Sequence, residues 1–352
     1  MKLTNEEIIQ FYDKLRKHNK QFSLKPVEEY KFYIEPFRGK HHYFIREFLN
    51  VTRFKFLCTA VGGWGLNRRT LDLFYYAEKR RIPFFIFEDG FVRSVHTWCA
   101  NVNKKLRSGI SFLVDTKGAY FDGNIQTDLE ELLNTYEVPL QCQDYAKNII
   151  RKLVSKRITK YNNQPLELDC ILGKCSDKEN VKRVLVIDQS YGDMSLIRGG
   201  ITDAIFKQMI DDAVRENPDY EILFKVHPDT IAKKENSAFL QSLPQKVNIL
   251  DVYVNPLVLL ERVDKVYVAT SQMGFEALML GKEVHVYGMP FYAGWGLTCD
   301  KINCGRRTRN LNLYELFYIV YSNYIAPERN EYCDINEAIE YIVKERSKFL
   351  DI

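Results

Sequence analysis

Short runs that are apolar throughout alternate with segments of helical spacing along most of this chain. FKFLCTAV (54–61), IPFFIFEDG (82–90), VKRVLVID (181–188), EILFKV (221–226), VNIL (247–250) and KVYVAT (265–270) are the apolar runs, and they read as strands buried on both faces. ISFLVDTKGAYFDG (110–123) reads as a strand plus a turn. Between the strands, Leu71, Phe74, Tyr75 and Ala77 repeat at helical spacing, as do TDLEELLN (127–134), a charged stretch near Tyr145–Arg157, Asp203–Arg215 and MGFEALML (273–280). MKLTNEEIIQFYDKLRKHNK opens the chain as an amphipathic helix with a Thr4/Glu7 capping box. Two further helices are expected around Leu313–Tyr321 and Asn336–Lys348, one of them crossing back to the first half. Strand followed by helix, repeated in both halves, predicts a mainly parallel α/β architecture.

A length of 352 residues exceeds what one core usually organises. The expected division is a first domain over 1–165, a second over 166–325 and a C-terminal helical segment over 326–352. The polar stretch KYNNQPLEL (160–168) is the expected hinge. No apolar run approaches the ~20 residues a membrane span needs, and no signal-peptide pattern opens the chain. A cytoplasmic location is therefore expected. The net charge of +4 is too small to argue for nucleic acid. Basic residues cluster at Lys14–Lys20, Arg151–Lys160 and Arg306, Arg307 and Arg309. Solvated helix faces explain such clusters, with attraction to an anionic membrane surface or an acidic glycan as the alternative. Eight cysteines include no C-x-x-C pair, so reduced thiols are expected and a metal site is not.

Candidate chemistry gathers at strand ends, the edge where open parallel sheets bind ligands. Glu88 and Asp89 close an apolar strand, serving either as turn carboxylates or as catalytic acids. Arg93, just beyond, is a candidate for holding a substrate carboxylate bidentately. Asp188 and Asp193 flank Gln-Ser-Tyr-Gly after another strand. A carboxylate there can cap the next helix or act as nucleophile or base, and the pattern leaves the choice between the two open. Paired with Glu88 across a cleft, it would supply the two carboxylates of a retaining glycosyl transfer. Lys225 and His227 share one side of their strand, so both can reach one anion, the lysine as a point charge on phosphate and the histidine as a donor. Ser271 and Gln272 open a helix whose free N–H groups attract an anion. Glu276, further along that helix, is either an exposed carboxylate or a partner for ribose hydroxyls. The aromatic loop GMPFYAGWG (288–296) wraps a base or sugar, or simply packs.

FEDGFVRS (87–94), SFLVDTKGAYFDG (111–123), SKRITKYN (155–162), VLVIDQSYGDMS (184–195), KVHPD (225–229), TSQMGFEALMLGK (270–282), YGMPFYAGWGLT (287–298) and RRTR (306–309) occur in this order. Together they resemble the retaining β-Kdo glycosyltransferases of bacterial capsule and O-antigen synthesis, the KpsC family and its single-module relatives. The resemblance covers about residues 54–325 and leaves the N-terminal segment unmatched. It implies a GT-B-like pair of Rossmann-type domains facing across a cleft, a CMP-Kdo donor, and transfer with retention to a glycolipid or polysaccharide acceptor. By motif position the nucleophile falls on Asp193, the acid/base carboxylate on Glu88 and the His-Pro histidine on His227. No metal or other cofactor is implied. Capsule assembly or export proteins and peripheral contact with the inner membrane are the expected partners. The acidic-acidic-Gly and His-Pro pair is also similar to bacterial sialyltransferases, which makes CMP-sialic acid the competing donor. A non-catalytic glycan- or nucleotide-binding subunit is the reading from another class. Capsule-initiating members carry two modules, whereas this chain has room for one, so a single linkage is expected.

Overall fold

The computed structural model describes residues 3–35, 45–97, 102, 107, 109–166, 181–190, 192–227, 243–323 and 335–350. Tyr191 and the Pro228–Asp229 end of KVHPD lie outside them, as do Glu167 and Leu168 of the expected hinge and residues 326–334 and 351–352 of the expected C-terminal segment. Two sheets organise the described residues. In the first, β1 (Phe32–Glu35), β2 (Ala60–Trp64), β3 (Phe84–Asp89) and β4 (Phe112–Asp115) lie in chain order, with the first three parallel and β4 antiparallel to β3. The second comprises β5 (Arg183–Ile187), β6 (Glu221–Lys225), β7 (Val247–Leu250), β8 (Lys265–Val268), β9 (Glu283–Val286) and β10 (Cys299–Asp300). All its pairings are parallel, in the order β10-β9-β8-β5-β6-β7. The chain winds outward from β5, returns to place β8 beside it, and winds outward the other way. That reversal opens a crevice at the carboxyl ends of β5 and β8.

β3 shows why its sequence is apolar throughout. Phe84 and Ile86 point into a cluster with Ile8, Phe11, Tyr12 and Leu15 of α1 (Asn5–Asn19) and Leu71, Phe74 and Ala77 of α3 (Arg68–Arg80). Phe85 and Phe87 point the other way, toward Phe32, Leu49, Phe112 and Ile45 of α2 (Ile45–Phe48). A strand covered on both faces has no solvent side to carry polar residues. The α1 residues fall at i, i+3, i+4 and i+7, the stripe expected of a helix on a sheet. Its capping box forms as the sequence predicts, with Glu7 N–H donating to Thr4 Oγ1 at 3.2 Å and Thr4 N–H to Glu7 Oε2 at 2.9 Å.

The expected strand at 54–61 begins later. Lys55–Leu57 is a 3-10 turn, and β2 starts at Ala60 and runs through Gly62 and Gly63. Phe54 and Phe56 remain 57% and 65% exposed. The glycines take strand positions because Phe87 and Ile34 occupy the space a Cβ at Gly62 would fill, and Thr70 and Phe84 the space at Gly63.

Helices α4 (Asp128–Thr135) and α5 (Leu140–Ser155), which the sequence places in the first domain, share one hydrophobic core with the second sheet. Leu129, Leu133, Ile149 and Leu153 join Leu185, Leu223, Leu259 and Phe275 in it. The C-terminal helices α10 (Leu313–Tyr318, continuing as a π turn to Asn323) and α11 (Ile335–Leu350) pack on α5. Lys152 Nζ donates to Asn336 at 2.6 Å, and Arg346 donates to the carbonyls of Lys156 and Arg157 at 2.6 and 3.0 Å. No described helix is long and apolar enough to cross a membrane. Cys58, Cys142, Cys299 and Cys304 are free thiols.

The RRTR run makes contacts within the fold that the sequence did not predict. Arg306 and Arg307 donate to Glu130 of α4 at 2.7 and 3.1 Å, Arg307 also to the carbonyls of Pro290 and Ala293, and Arg309 to that of Tyr136. These arginines tie the 288–296 loop to α4 and α5. The Arg307 side chain is buried, while those of Arg306 and Arg309 remain 37% and 21% exposed.

Candidate active site

On the first-sheet side, β3 delivers Glu88 and Asp89 to its carboxyl end. The chain must then turn sharply, and Gly90 sits where Ser111 leaves no room for a Cβ. Beyond the turn, the N–H groups of Arg93 and Ser94 donate to the carbonyl of Lys160 at 3.0 and 3.3 Å. The hinge segment is thereby stitched to the EDGFVRS turn, with Ser94 and Tyr161 forming a parallel bridge. Lys160 and Tyr120 come to stand around Glu88. Glu88 is half-buried at the floor of the cleft, and burial pushes its carboxyl up to about 8. The charges of Asp89 and Asp193 push the same way, while Lys160 opposes them. Asp193 therefore lies near enough for its charge to act on Glu88.

The second-sheet side is built on the crevice between β5 and β8. Gln189, just past β5, bridges it: its Oε1 accepts from Thr270 N–H at 2.8 Å and its Nε2 donates to Thr270 Oγ1 at 3.0 Å. Asp188 accepts the N–H of His227 at 3.0 Å, joining the ends of β5 and β6. His227 Nδ1 lies 3.0 Å from Ser190 Oγ. Asp193 caps α6 (Met194–Arg198), accepting from Ser195 N–H at 2.9 Å, and its side chain is exposed toward the cleft. Lys225 is buried at the end of β6. Burial lowers its pKa, and Asp188 and Glu276 partly restore it. Ser271 caps α9 (Gln272–Met279), its Oγ accepting from Met273 N–H at 3.3 Å.

One buried ion pair locks Asp193 in position. Arg198, at the end of α6, donates through Nε to Asp122 Oδ2 at 2.6 Å, with both side chains buried. Asn124 Nδ2 donates to the carbonyl of Arg198 at 2.8 Å. The short helix behind Asp193 is thus held against the FDG turn of the first half. Arg198→Ala, which would leave Asp122 buried and unpaired, is expected to cost about 3–5 kcal/mol. Urea unfolding reads this as a lower midpoint, and an unchanged midpoint would show that the pair holds nothing.

Several candidate residues are placed differently from expectation. Arg93 is 0% exposed. Its Nε lies 2.9 Å from Asp89 Oδ1, and Nη1 donates to Ser94 Oγ and to the carbonyl of Arg107 at 2.9 and 3.0 Å. Arg93 is thus tied to the EDG turn, while its Nη2 is buried with no hydrogen-bond partner among the described residues. Gln272 donates to the carbonyl of Phe91 at 2.9 Å, using its side chain to join the two halves. Glu276 is 3% exposed rather than an exposed helix carboxylate. Burial pushes it up to about 8, against the charges of Lys160 and Lys225. The aromatic loop packs. Phe291, Tyr292 and Trp295 are buried, Tyr292 OH donates to the carbonyl of Ser271 at 2.6 Å, and Trp295 Nε1 donates to that of Phe291. A Cβ at Gly274 would run into the Tyr292 ring, which explains the glycine in the first turn of α9.

Glu88 and Asp193 thus lie within electrostatic reach, as do Lys225 and Glu276, with His227 beside Asp188 and the Ser271 helix end following β8. Lys160 and Tyr120 belong with Glu88. Their signal in the sequence was membership of SKRITKYN and SFLVDTKGAYFDG, with no chemistry assigned to either. Among the described residues, one cluster has metal-ligand chemistry. It comprises Glu283, His285 and Cys299, whose ligand atoms lie within 4.8 Å of one another. It sits on the edge pair β9 and β10, and Glu283 already pairs with Lys265 and His285.

Two Rossmann-type α/β units facing across an acid-lined cleft define a GT-B-like protein. Residues 59–327 match the family described as capsule polysaccharide biosynthesis protein, and the chain belongs to that family. It is 35% identical over 301 residues to the capsule polysaccharide modification protein LipA of Neisseria meningitidis serogroup B, covering 82% of this chain and 42% of LipA. To the lipopolysaccharide-processing protein LpsZ of Rhizobium meliloti it is 33% identical, covering 77% of this chain and 61% of LpsZ. The chain therefore spans less than two thirds of the length of these relatives. Among solved structures it is similar to the Thermosulfurimonas dismutans KpsC β-Kdo 2,4 transferase, with a TM-score of 0.74 and 33% identity over 88% of this chain and 98% of that one. The β-Kdo 2,7 transferase of the same KpsC gives a TM-score of 0.61 and 25% identity, over 90% and 99%.

Proposed function

We propose that this chain is a retaining β-Kdo glycosyltransferase that moves Kdo from CMP-Kdo to a glycan or glycolipid acceptor in capsule or lipopolysaccharide synthesis. The observation that carries the proposal is the pair of carboxylates, Glu88 and Asp193, contributed by the two halves and close enough for the Asp193 charge to act on Glu88. The likeness to the KpsC β-Kdo transferases supports Kdo as the sugar transferred.

In the first step an Asp193 oxygen attacks the anomeric carbon. The bond from that carbon to the phosphate oxygen breaks, and CMP leaves with the electron pair. Lys225, His227 and the N-terminus of α9 take up the phosphate charge. In the second step the acceptor hydroxyl attacks the same carbon, Glu88 takes its proton, and Asp193 is released. Two inversions give net retention. Asp193 is preferred to Asp188 because its side chain is exposed and its charge acts on Glu88, although each accepts one backbone N–H. Glu276 is assigned to the ribose hydroxyls. Peripheral contact with the inner membrane and with capsule assembly proteins belongs to the same proposal, since the acceptor is made there.

Intact-protein mass spectrometry after incubation with CMP-Kdo generated in situ tests this reading. One Kdo residue is expected on the wild type and none on Asp193→Ala, with CMP released only by the wild type. Hydrolysis of CMP-Kdo at equal rates by wild type, Asp193→Ala and Glu88→Ala would sink the assignment. An adduct formed only from CMP-sialic acid would change the donor. CMP binding with no turnover of either sugar would make the chain a binding subunit.

A further inference from the structure

We propose that Lys160 binds the carboxylate of the donor sugar and so selects 2-keto sugar acids over neutral sugars. The proposal rests on the transferase reading above and gives its cleft a group the sequence did not assign.

The cations around the cleft are mostly spent. Arg93 is bound to Asp89, Ser94 and the Arg107 carbonyl, and although its Nη2 has no hydrogen-bond partner among the described residues, Arg93 is 0% exposed. Arg198 is held by Asp122, and Arg306 and Arg307 by Glu130. Lys225 lies on the second-sheet side among Asp188 and Glu276, where the phosphate would sit. Lys160 is the exception on the first-sheet wall. Its carbonyl is fixed by Arg93 and Ser94 N–H, so the start of its side chain is anchored to the turn that carries Glu88. The ammonium stands among Glu88, Asp89, Tyr120 and Tyr161, and its charge also reaches Glu276 on the opposite wall. It nevertheless makes no direct hydrogen bond or ion pair with any described residue. The surrounding acids outweigh burial and keep it protonated. The residue is half-buried, and an ammonium without a partner among the described residues is available to a ligand carboxylate through a charge-assisted hydrogen bond.

A keto sugar acid supplies it at the right place. Its carboxylate is bonded to the anomeric carbon, the atom that must lie between the phosphate group and Glu88. Lys160 occupies that interval, electrostatically coupled to Glu88 on one side and Glu276 on the other. A neutral aldose in the same position would leave the ammonium without its counter-charge.

Steady-state kinetics on the full chain, with CMP-Kdo generated in situ, test the assignment. Lys160→Gln is expected to raise the KM for CMP-Kdo on the order of 10–100-fold, while the inhibition constant of CMP, which has no carboxylate, stays within about twofold. Lys160→Arg is expected to recover part of the loss, and Lys225→Gln to weaken CMP and CMP-Kdo together. Because Lys160 holds the Glu88 carboxyl down, the glutamine variant also shifts the ascending pH limb of turnover upward. An unchanged donor KM, or a parallel loss of CMP affinity, would overturn the proposal.

Melting measurements keep it separate from the transferase reading. CMP together with free Kdo or free sialic acid should raise the wild-type Tm beyond CMP alone, whereas Lys160→Gln should show only the CMP increment. A wild type given no extra increment by either acid refutes the Lys160 proposal. An extra increment without any transfer or adduct refutes the transferase reading alone.

Discussion

With Glu88 replaced by glutamine, turnover on CMP-Kdo is expected to fall on the order of 10²–10⁴-fold, while one Kdo residue accumulates on Asp193. The two steps place different demands on Glu88. CMP leaves as a stabilised phosphate and needs no proton, so Asp193 can be glycosylated without a general acid. The acceptor hydroxyl must lose a proton as it attacks, and only the second step needs the base. An amide fills the same space and cannot take that proton. The same reasoning fixes the pH dependence. Glu88 works ionised, and burial together with Asp89 and Asp193 has raised it to about 8. Turnover should therefore climb with pH toward that value in the wild type, and the limb should vanish in Glu88→Gln. A variant that keeps both its turnover and its limb would remove Glu88 from the mechanism.

Glu276→Gln is expected to stabilise the fold by about 1–3 kcal/mol at pH 8, with little gain at pH 5. The sign follows from proton binding. The folded protein holds Glu276 protonated up to about 8, whereas the unfolded chain loses that proton near the ordinary glutamate value of 4.5. Between those values the native state binds more protons than the unfolded one, so stability falls as pH rises. Glutamine carries no titrating proton and escapes the loss. Lys160 and Lys225 stabilise the ionised form and limit the gain. Urea midpoints of wild type and variant at pH 5 and 8 measure it. A gap that narrows with rising pH would mean that Glu276 is ionised and well paired in the native cleft. If Glu276 holds ribose, the more stable variant should also bind CMP more weakly, the exchange of stability for function expected at such sites.

The exposed Phe54 and Phe56 show one limit of reading strands from apolar runs. FKFLCTAV has the composition of a buried strand, yet the strand begins after it. What shifts the boundary is Phe87 and Ile34 crowding Gly62, and Phe84 and Thr70 crowding Gly63. Those contacts join segments distant in the chain, and no local pattern contains them. The Thr4/Glu7 cap, the β3 run and the N-terminal end of α9 are opposite cases. Their partners lie within one turn or follow from one periodicity, and they formed where the sequence put them.

The same division runs through the cleft. Carboxylates at strand ends, a lysine and histidine two apart on one strand, and a serine at a helix start are local arrangements. The sequence alone determined the α/β class and the family, and from such arrangements it named the candidate site residues. The direction each long cation takes was decided only by tertiary structure. Arg93 turns inward because Asp89 and the Arg107 carbonyl are there to receive it. Arg306 finds Glu130 from 176 residues away. Lys160, in a stretch that reads as a hinge, is carried to Glu88 by backbone bonds to Arg93 and Ser94. An arginine or lysine has a long flexible stem and pairs with whichever anion the fold brings within reach, so its partner is a property of the packed chain and not of its neighbours in sequence.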